Sequence, residues 1–411
     1  MGLCHAITTN TTEVAVMGEV FLYDAVRTPF GRYAGALAGV RPDDLGALVI
    51  RETVRRAPAL ELERIDEIFF GCANGAGEDN RNVGRMSGLL AGVPTSVPAT
   101  TLNRLCGSSL DAAMVASRQI ALGEADIAVV GGVESMSRAP WVLPKTERPY
   151  PAGSMELAST TLGWRLVNTR MPKEWTVSLG EATEQLREKY AVTREAQDEF
   201  AARSHRLADA AWSSGFFADQ VVAVPGVALD RDESIRAETT VERLAGLKPS
   251  FRSAEAGTVT AGNASPLNDG ASAALLGSAK ADALTGLSPV ARIAGRGAAA
   301  NDPQFFGYAP VEAANQALAR AGITWDDVDA VELNEAFAAQ ALACVAAWGI
   351  DPEIVNRHGG AIAIGHPLGA SGARILGTLA RSLQLNGGRW GVAAICIGVG
   401  QGLAVVIENV S

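Results

Sequence analysis

Three residues of this 411-residue chain combine a reactive side chain with neighbours suited to chemistry. Cys106 stands in TTLNRLCGSSLDAAMVASRQI, where the apolar spacing after the cysteine is helical and Gly107 with two serines suits a helix start. A thiol there feels the positive end of the helix dipole, which lowers its pKa and favours the thiolate nucleophile. Read alone, the segment fits an inert buried thiol equally well. His366 stands in GGAIAIGHPLGASGARIL among five glycines, so backbone can approach a ligand closely. Its imidazole is a natural base for a thiol proton. Cys396, in WGVAAICIGVGQG, follows an apolar strand at a strand-to-turn edge, and the glycines there leave backbone N–H groups that can form an oxyanion hole. That G-x-G-x-G run is not a dinucleotide fingerprint, because the following helix and the acidic residue about 20 positions on are missing.

Other polar residues carry weaker signals. Asn334 and Glu335 open NEAFAAQ at a strand end, where an asparagine serves either as a helix cap or as a holder of water or substrate oxygen. His358 reads as structural, in a loop before a strand, and His5 and His205 read as surface residues. The five cysteines are odd in number and far apart, which fits a reducing, cytoplasmic compartment rather than a disulfide framework. No C-x-x-C or H-E-x-x-H spacing marks a zinc site. The net charge of −10 argues against a nucleic-acid binder. No apolar run is long enough to span a bilayer.

These residues must be positioned by an architecture used twice. Val20 to Gly35, Asp43 to Ala57 and Glu63 to Ala73 read as strand and loop, helix, then acidic turn and strand. Pro289 to Asp302, Pro310 to Gly322 and Asp326 to Phe337 repeat that order, with proline at the start and glycine at the end of the helix. Leu105 to Ser137 and Gly365 to Gly402 each read as turn, long helix and buried strand. The expectation is an α/β protein with a duplicated five-layer α/β/α/β/α core. Residues 1–19 read as a loose leader, 20–138 plus 265–287 as the first half, and 288–411 as the second. Residues 139–264 interrupt the pattern and read as an inserted, mostly helical loop domain.

Taken together, NRLCGSSLDA, NEAFAAQ, GGAIAIGHPLGASGAR and CIGVGQG resemble the thiolase family, and the likeness covers about Val20 to Glu408. It implies the thiolase fold, with a loop domain over the active site. It implies that Cys106 takes the acyl group as a thioester, that His366 activates it, and that Cys396 is the acid and base at the α-carbon. Asn334 would hold a water that forms one oxyanion hole with His366, and the N–H groups of Cys106 and Gly398 would form the other. Coenzyme A and acetyl-CoA enter as substrates, with no permanently bound cofactor. CoA contacts fall on Arg236, Phe251 and Ser265, with Ser178, Leu179 and Phe337 along the pantetheine and acyl tail. Ser178–Leu179 departs from the usual His-Met-Gly or Ser-Met pattern and leaves chain-length preference open. GCANGAGEDNRNVGRMSGLLAG and GGVESMSRAP resemble the degradative β-ketoadipyl-CoA thiolases. The implied partners are acyl-CoA molecules and copies of the chain, as a homodimer or homotetramer. Ketoacyl synthases of the same fold are the enzymatic alternative, although Asn334 stands where one of their histidines would, and Cys396 adds a second thiol. A catalytically silent, lipid-binding relative is the other.

Overall fold

The computed structural model describes residues 18–411, so Cys4, His5 and nearly all of the expected leader lie outside the described residues. The first half contains β1 (Phe21–Arg27), α1 (Pro42–Arg55), β2 (Glu67–Gly71), α2 (Val83–Ala91), β3 (Ala99–Leu102), α3 (Ser108–Ala121) and β4 (Ile127–Ser135). After a long insertion bearing α4 (Leu179–Lys189) and α5 (Arg194–Ser213), the chain returns as β5 (Asn268–Gly277). The second half follows as β6 (Ala291–Ala300), α6 (Pro310–Ala321), β7 (Val328–Leu333), α7 (Ala338–Trp348), α8 (Ser371–Asn386), β8 (Trp390–Ile397) and β9 (Gln401–Asn409).

The strands form a ten-stranded sheet in which nine run in the order β7-β8-β9-β6-β1-β5-β4-β2-β3 and the two-residue strand Gly31–Arg32 pairs with β5 off that path. Each half contributes the same pattern. In the first, β5 pairs antiparallel with β1 and β4, and β4 runs parallel to β2. In the second, β9 pairs antiparallel with β6 and β8, and β8 runs parallel to β7. The halves join edge to edge where Phe21 and Leu22 face Arg292 and Ala291.

Three apolar cores show how the sheet is covered. The central one gathers α3 and α8 residues such as Leu110, Met114, Leu376 and Leu379 between inward faces from both halves. A second packs α1 (Leu45, Val49, Ile50) on the outer face of the first half. A third packs α6 and α7 (Ala317, Leu318, Cys344, Trp348) on the second. The layer order is therefore α/β/α/β/α, as the duplicated pattern requires. Strands β4, β5 and β8 are buried along their whole length, which explains their continuous small and apolar sequences.

Two expectations need correction. The insertion is helical at α4, α5 and the short Val241–Ala245, whereas residues 143–172 are largely irregular. Its charged helical stretch also breaks in two at Tyr190–Thr193, where Ala191 takes φ 54° and Thr193 caps α5 by accepting from the Ala196 N–H. Second, the segment after His358 is a helical turn, Ala361–Ile364, not a strand.

Candidate active site

Cys106 lies in a 3₁₀ turn, Leu105–Gly107, that runs directly into α3. Ser108 ties the turn by donating to the Leu105 carbonyl (2.6 Å) and accepting from the Arg104 N–H (2.9 Å). Leu105 is held at φ 47° and Val399, across the site, at φ 67°. A β-branched residue in the left-handed region is strained, and such strain persists where the surroundings over-determine it. Gly107 lets the turn approach closely, because a Cβ there would press on the Ile397 side chain at the end of β8. The Cys106 turn thus packs directly on the Cys396 strand.

The N–H groups of Cys106 and Gly398 both point to the Cys106 sulfur and favour its thiolate. Burial outweighs them and pushes the thiol up to about 11. The depressed thiol expected from the helix dipole is therefore not the resting state. Burial also pushes Cys396 well above the ordinary thiol range, and the neighbouring Cys106 and Cys344 add to the shift. Cys396 sits within β8 rather than after it, opposite Gly402 of β9.

His366 is buried and held from several directions. Its N–H donates to the Asn268 side chain (2.9 Å), and Gly365 takes φ 114° with no room for a Cβ against that asparagine. Ser371 donates to the Pro367 carbonyl (3.0 Å), so its oxygen is free to accept from His366 Nδ1–H at 2.6 Å. That network leaves Nε2 as the basic nitrogen. Burial, reinforced by the Arg374 charge, pulls the imidazole down to about 3. Thiol and imidazole are thus both neutral at rest.

Asn334 follows β7 and places its Nδ2 3.4 Å from both His366 ring nitrogens. Its orientation is set by Arg374, which donates to Asn334 Oδ1 (3.4 Å) and pairs with buried Glu332 (3.1 Å). Glu335 accepts from Ser204, Asn356 and the Ile362 N–H, and ties α5 to the turn before His366. Glu134 of β4 accepts from the N–H groups of Ala73 and Gly369, both at 2.9 Å, so it links the loop after β2 to the His366 loop.

Ser371, Arg374, Glu332, Asn268 and Glu134 are supporting residues that sequence reasoning missed. Ser371 carried one usable signal, its place five residues after His366 in the same glycine-rich block. Glu134 lay in a quoted segment, but nothing local marked it as the link between two loops.

Cys106 opens into a cleft of about 380 Å³ that Leu105, Leu179, Leu368, Gly398 and Val399 share with Asn74, Glu134 and the 160–165 segment. The other expected contacts are more dispersed. Ser178 caps α4 by accepting from the Glu181 N–H (3.2 Å). Phe251 is half exposed and lies against Gly180. Phe337 packs beside Cys396, with Phe306 edge-on to it. Ser265 donates twice to the Ala336 carbonyl (3.0 and 3.1 Å). Arg236 is exposed, and its backbone N–H donates to His205 Nδ1. His205 is buried by that contact rather than exposed, contrary to expectation. His358 stacks on Phe216, away from the cleft. Among the described residues, no group of His, Cys, Asp and Glu side chains could hold a metal ion, and no helix is long and apolar enough to cross a membrane.

The duplicated α/β/α/β/α fold packs the Cys106 turn on the strand that carries Cys396, and two buried thiols so placed suit acyl transfer through sulfur. The thiolase N-terminal domain matches residues 20–280 and the thiolase C-terminal domain residues 287–409, so the chain belongs to the thiolase family. It is 49% identical to the β-ketoadipyl-CoA thiolase of Pseudomonas putida over 403 residues, covering 96% of this chain and 100% of that protein. It is 48% identical to the 3-oxoadipyl-CoA/3-oxo-5,6-dehydrosuberyl-CoA thiolase of Escherichia coli K12, with the same coverage. The crystal structure of human mitochondrial 3-ketoacyl-CoA thiolase in complex with CoA superposes with a TM-score of 0.90 at 35% identity, covering 96% of this chain and 99% of that one. The chain is accordingly a CoA-dependent thiolase that uses CoA as a substrate, not as a bound cofactor.

Proposed function

We propose that the chain cleaves 3-oxoadipyl-CoA, a degradative role in which a six-carbon dicarboxylic acyl chain is cut to acetyl-CoA and succinyl-CoA. The names of its relatives at 48–49% identity, aligned over nearly the whole chain, carry this reading. Residues 139–264 serve as the coenzyme A domain, between a first half of 20–138 plus 265–287 and a second half of 288–411.

Cys106 gives its proton to His366 Nε2 as its sulfur attacks C3 of the substrate. The C2–C3 bond then breaks, the acyl fragment stays on sulfur as a thioester, and Cys396 protonates C2 to release acetyl-CoA. A free CoA thiol gives its proton to the Cys396 thiolate and attacks the thioester, and His366 returns its proton to the Cys106 sulfur as the shortened acyl-CoA leaves. The amides of Cys106 and Gly398 receive one developing oxyanion, and the His366–Asn334 pair with a water receives the other. One such donor is worth roughly 3 kcal/mol. Two amides paired to the Cys106 sulfur and a buried, neutral imidazole at His366 support these assignments.

The enzyme works as a homodimer or homotetramer in a reducing, cytoplasmic setting. Exposed Leu89 and Leu90 on α2, and Trp141 and Tyr150 on the insertion, supply apolar surface for self-association. Light scattering checks the assembly. The deciding experiment is a thiolysis panel of acetoacetyl-CoA, 3-oxohexanoyl-CoA and 3-oxoadipyl-CoA compared by kcat/KM. A preference for either uncharged substrate would overturn the 3-oxoadipyl reading.

A further inference from the structure

A dicarboxylic acyl chain brings a carboxylate into the acyl cleft, and an anion leaving water needs a cation or well-placed donors there. The cleft beside Cys106 is mostly apolar, with Leu105, Leu162, Trp164, Leu179 and Leu368 along it. Its lining contains one basic side chain, Arg165. Arg165 is exposed, and among the described residues its guanidinium has no ion pair and no hydrogen bond within the protein, so it is available to a ligand.

The segment that carries Arg165 is anchored on both sides of the cleft. Thr160 is buried, donates to the Pro140 carbonyl (2.5 Å) and accepts from the Asn74 amide (2.9 Å). Trp164, next to the arginine, donates its indole N–H to the Val177 carbonyl at 2.9 Å, just ahead of α4. Asn74 and Thr160 therefore tether the segment that leads to Arg165 against the loop after β2.

We propose that Arg165 is the specificity residue for the terminal carboxylate of a dicarboxylic 3-oxoacyl-CoA. This rests on the 3-oxoadipyl reading and adds the group that selects for it. Guanidinium matches carboxylate in a bidentate fork, which an ammonium does not reproduce. The cleft's one carboxyl does not oppose the ligand. Glu134 is turned into the N–H groups of Ala73 and Gly369, and burial pushes it up to about 8, which favours its neutral form.

The test compares 3-oxoadipyl-CoA with 3-oxohexanoyl-CoA, which has the same chain length and no carboxylate, on the wild-type enzyme and on Arg165→Ala, Arg165→Lys and Arg165→Glu. The kcat/KM ratio of charged to uncharged substrate should fall roughly 10- to 100-fold in Arg165→Ala, the range for a lost hydrogen bond to a charged group. Arg165→Lys should recover part of it, and Arg165→Glu should fall furthest. Equal losses on both substrates, or a rise in the KM for CoA that accounts for the loss, would show that Arg165 serves coenzyme A and would overturn the proposal. An unchanged ratio would overturn it too. A wild-type enzyme that prefers 3-oxohexanoyl-CoA refutes the 3-oxoadipyl reading itself, and that result is read before any variant is made.

Discussion

Replacing Ser371 with alanine should slow acylation of Cys106 without touching the nucleophile. The Ser371 oxygen accepts from His366 Nδ1–H at 2.6 Å and is itself fixed by donating to Pro367. The contact does two things. It keeps the proton on Nδ1, so Nε2 can act as base, and it stabilises the imidazolium that forms when the thiol proton arrives. Stabilising that cation matters because the resting groups are poorly matched, with the thiol near 11 and the imidazole near 3. Removing the partner of a buried donor costs about 1–3 kcal/mol, so acylation should slow by roughly 5- to 150-fold. Rapid quench with acetyl-CoA, followed by intact-protein mass spectrometry, measures it directly. A thermal melt separates this from a folding defect. Ser371 acts through His366, so Ser371→Ala should add nothing to His366→Ala in a double-mutant cycle. Acylation at the wild-type rate in Ser371→Ala, or full additivity with His366→Ala, would refute the reasoning.

The two thiols should separate cleanly. Cys106→Ala should abolish acetyl-enzyme, whereas Cys396→Ala should still show one added acetyl, mapped to Cys106, yet fail to make or break the C2–C3 bond. Acetyl on any other residue overturns the assignment. Glu134→Gln should flatten the dependence of Tm on pH. The wild-type carboxyl is raised from its ordinary range to about 8, so its contribution is complete at acid pH and is lost as pH climbs through 8. The Tm gap between Glu134→Gln and wild type should therefore move in favour of the variant from pH 5 to 9, and parallel curves would count against it. Asp232→Ala should strip the buried Arg27 of a bidentate partner at 2.6 and 2.8 Å, along with the Phe30 N–H and Trp212 contacts. Leaving such a charge uncompensated costs about 3–5 kcal/mol. A urea midpoint equal to that of wild type would show that Arg27 finds other partners.

Much of the fold was legible because its signals are local and repeated. The Pro310 to Gly322 helix declares both ends, and Gly322 does adopt the left-handed cap. The duplicated strand order follows from two copies of one pattern, each buried on both faces. The insertion was harder. Residues 143–172 have no apolar period because they lie on the surface as irregular chain, and the break at Ala191 has no glycine or proline to announce it. His205 looked like a surface residue on a charged helix, yet the Arg231–Arg236 stretch folds over it, a contact no window of sequence contains.

The site shows the same division, with a chemical consequence. Cys106 and His366 were visible because each stands in a glycine-marked turn, and Cys396 because glycines follow its strand. The residues that tune them were not, since Arg374 reaches back to Glu332 and Asn334, and Glu134 reaches forward 235 positions to Gly369. The direction of the Cys106 shift was misjudged for a related reason. A helix N-terminus is local and favours the thiolate by about 1 kcal/mol or less at an exposed site. Burial between two sheet halves is a property of the whole fold, and here it wins. A buried neutral thiol is a poor resting nucleophile. It becomes a good one only when a substrate carbonyl beside the Cys106 and Gly398 amides turns proton transfer into bond formation. The enzyme's selectivity should therefore appear in the acylation step rather than in thiol reactivity at large. Iodoacetamide, which offers no carbonyl at the attacked carbon to engage those amides, should alkylate Cys106 far more slowly than acetyl-CoA acylates it. Comparable rates would mean that a thiolate stands ready in the free enzyme.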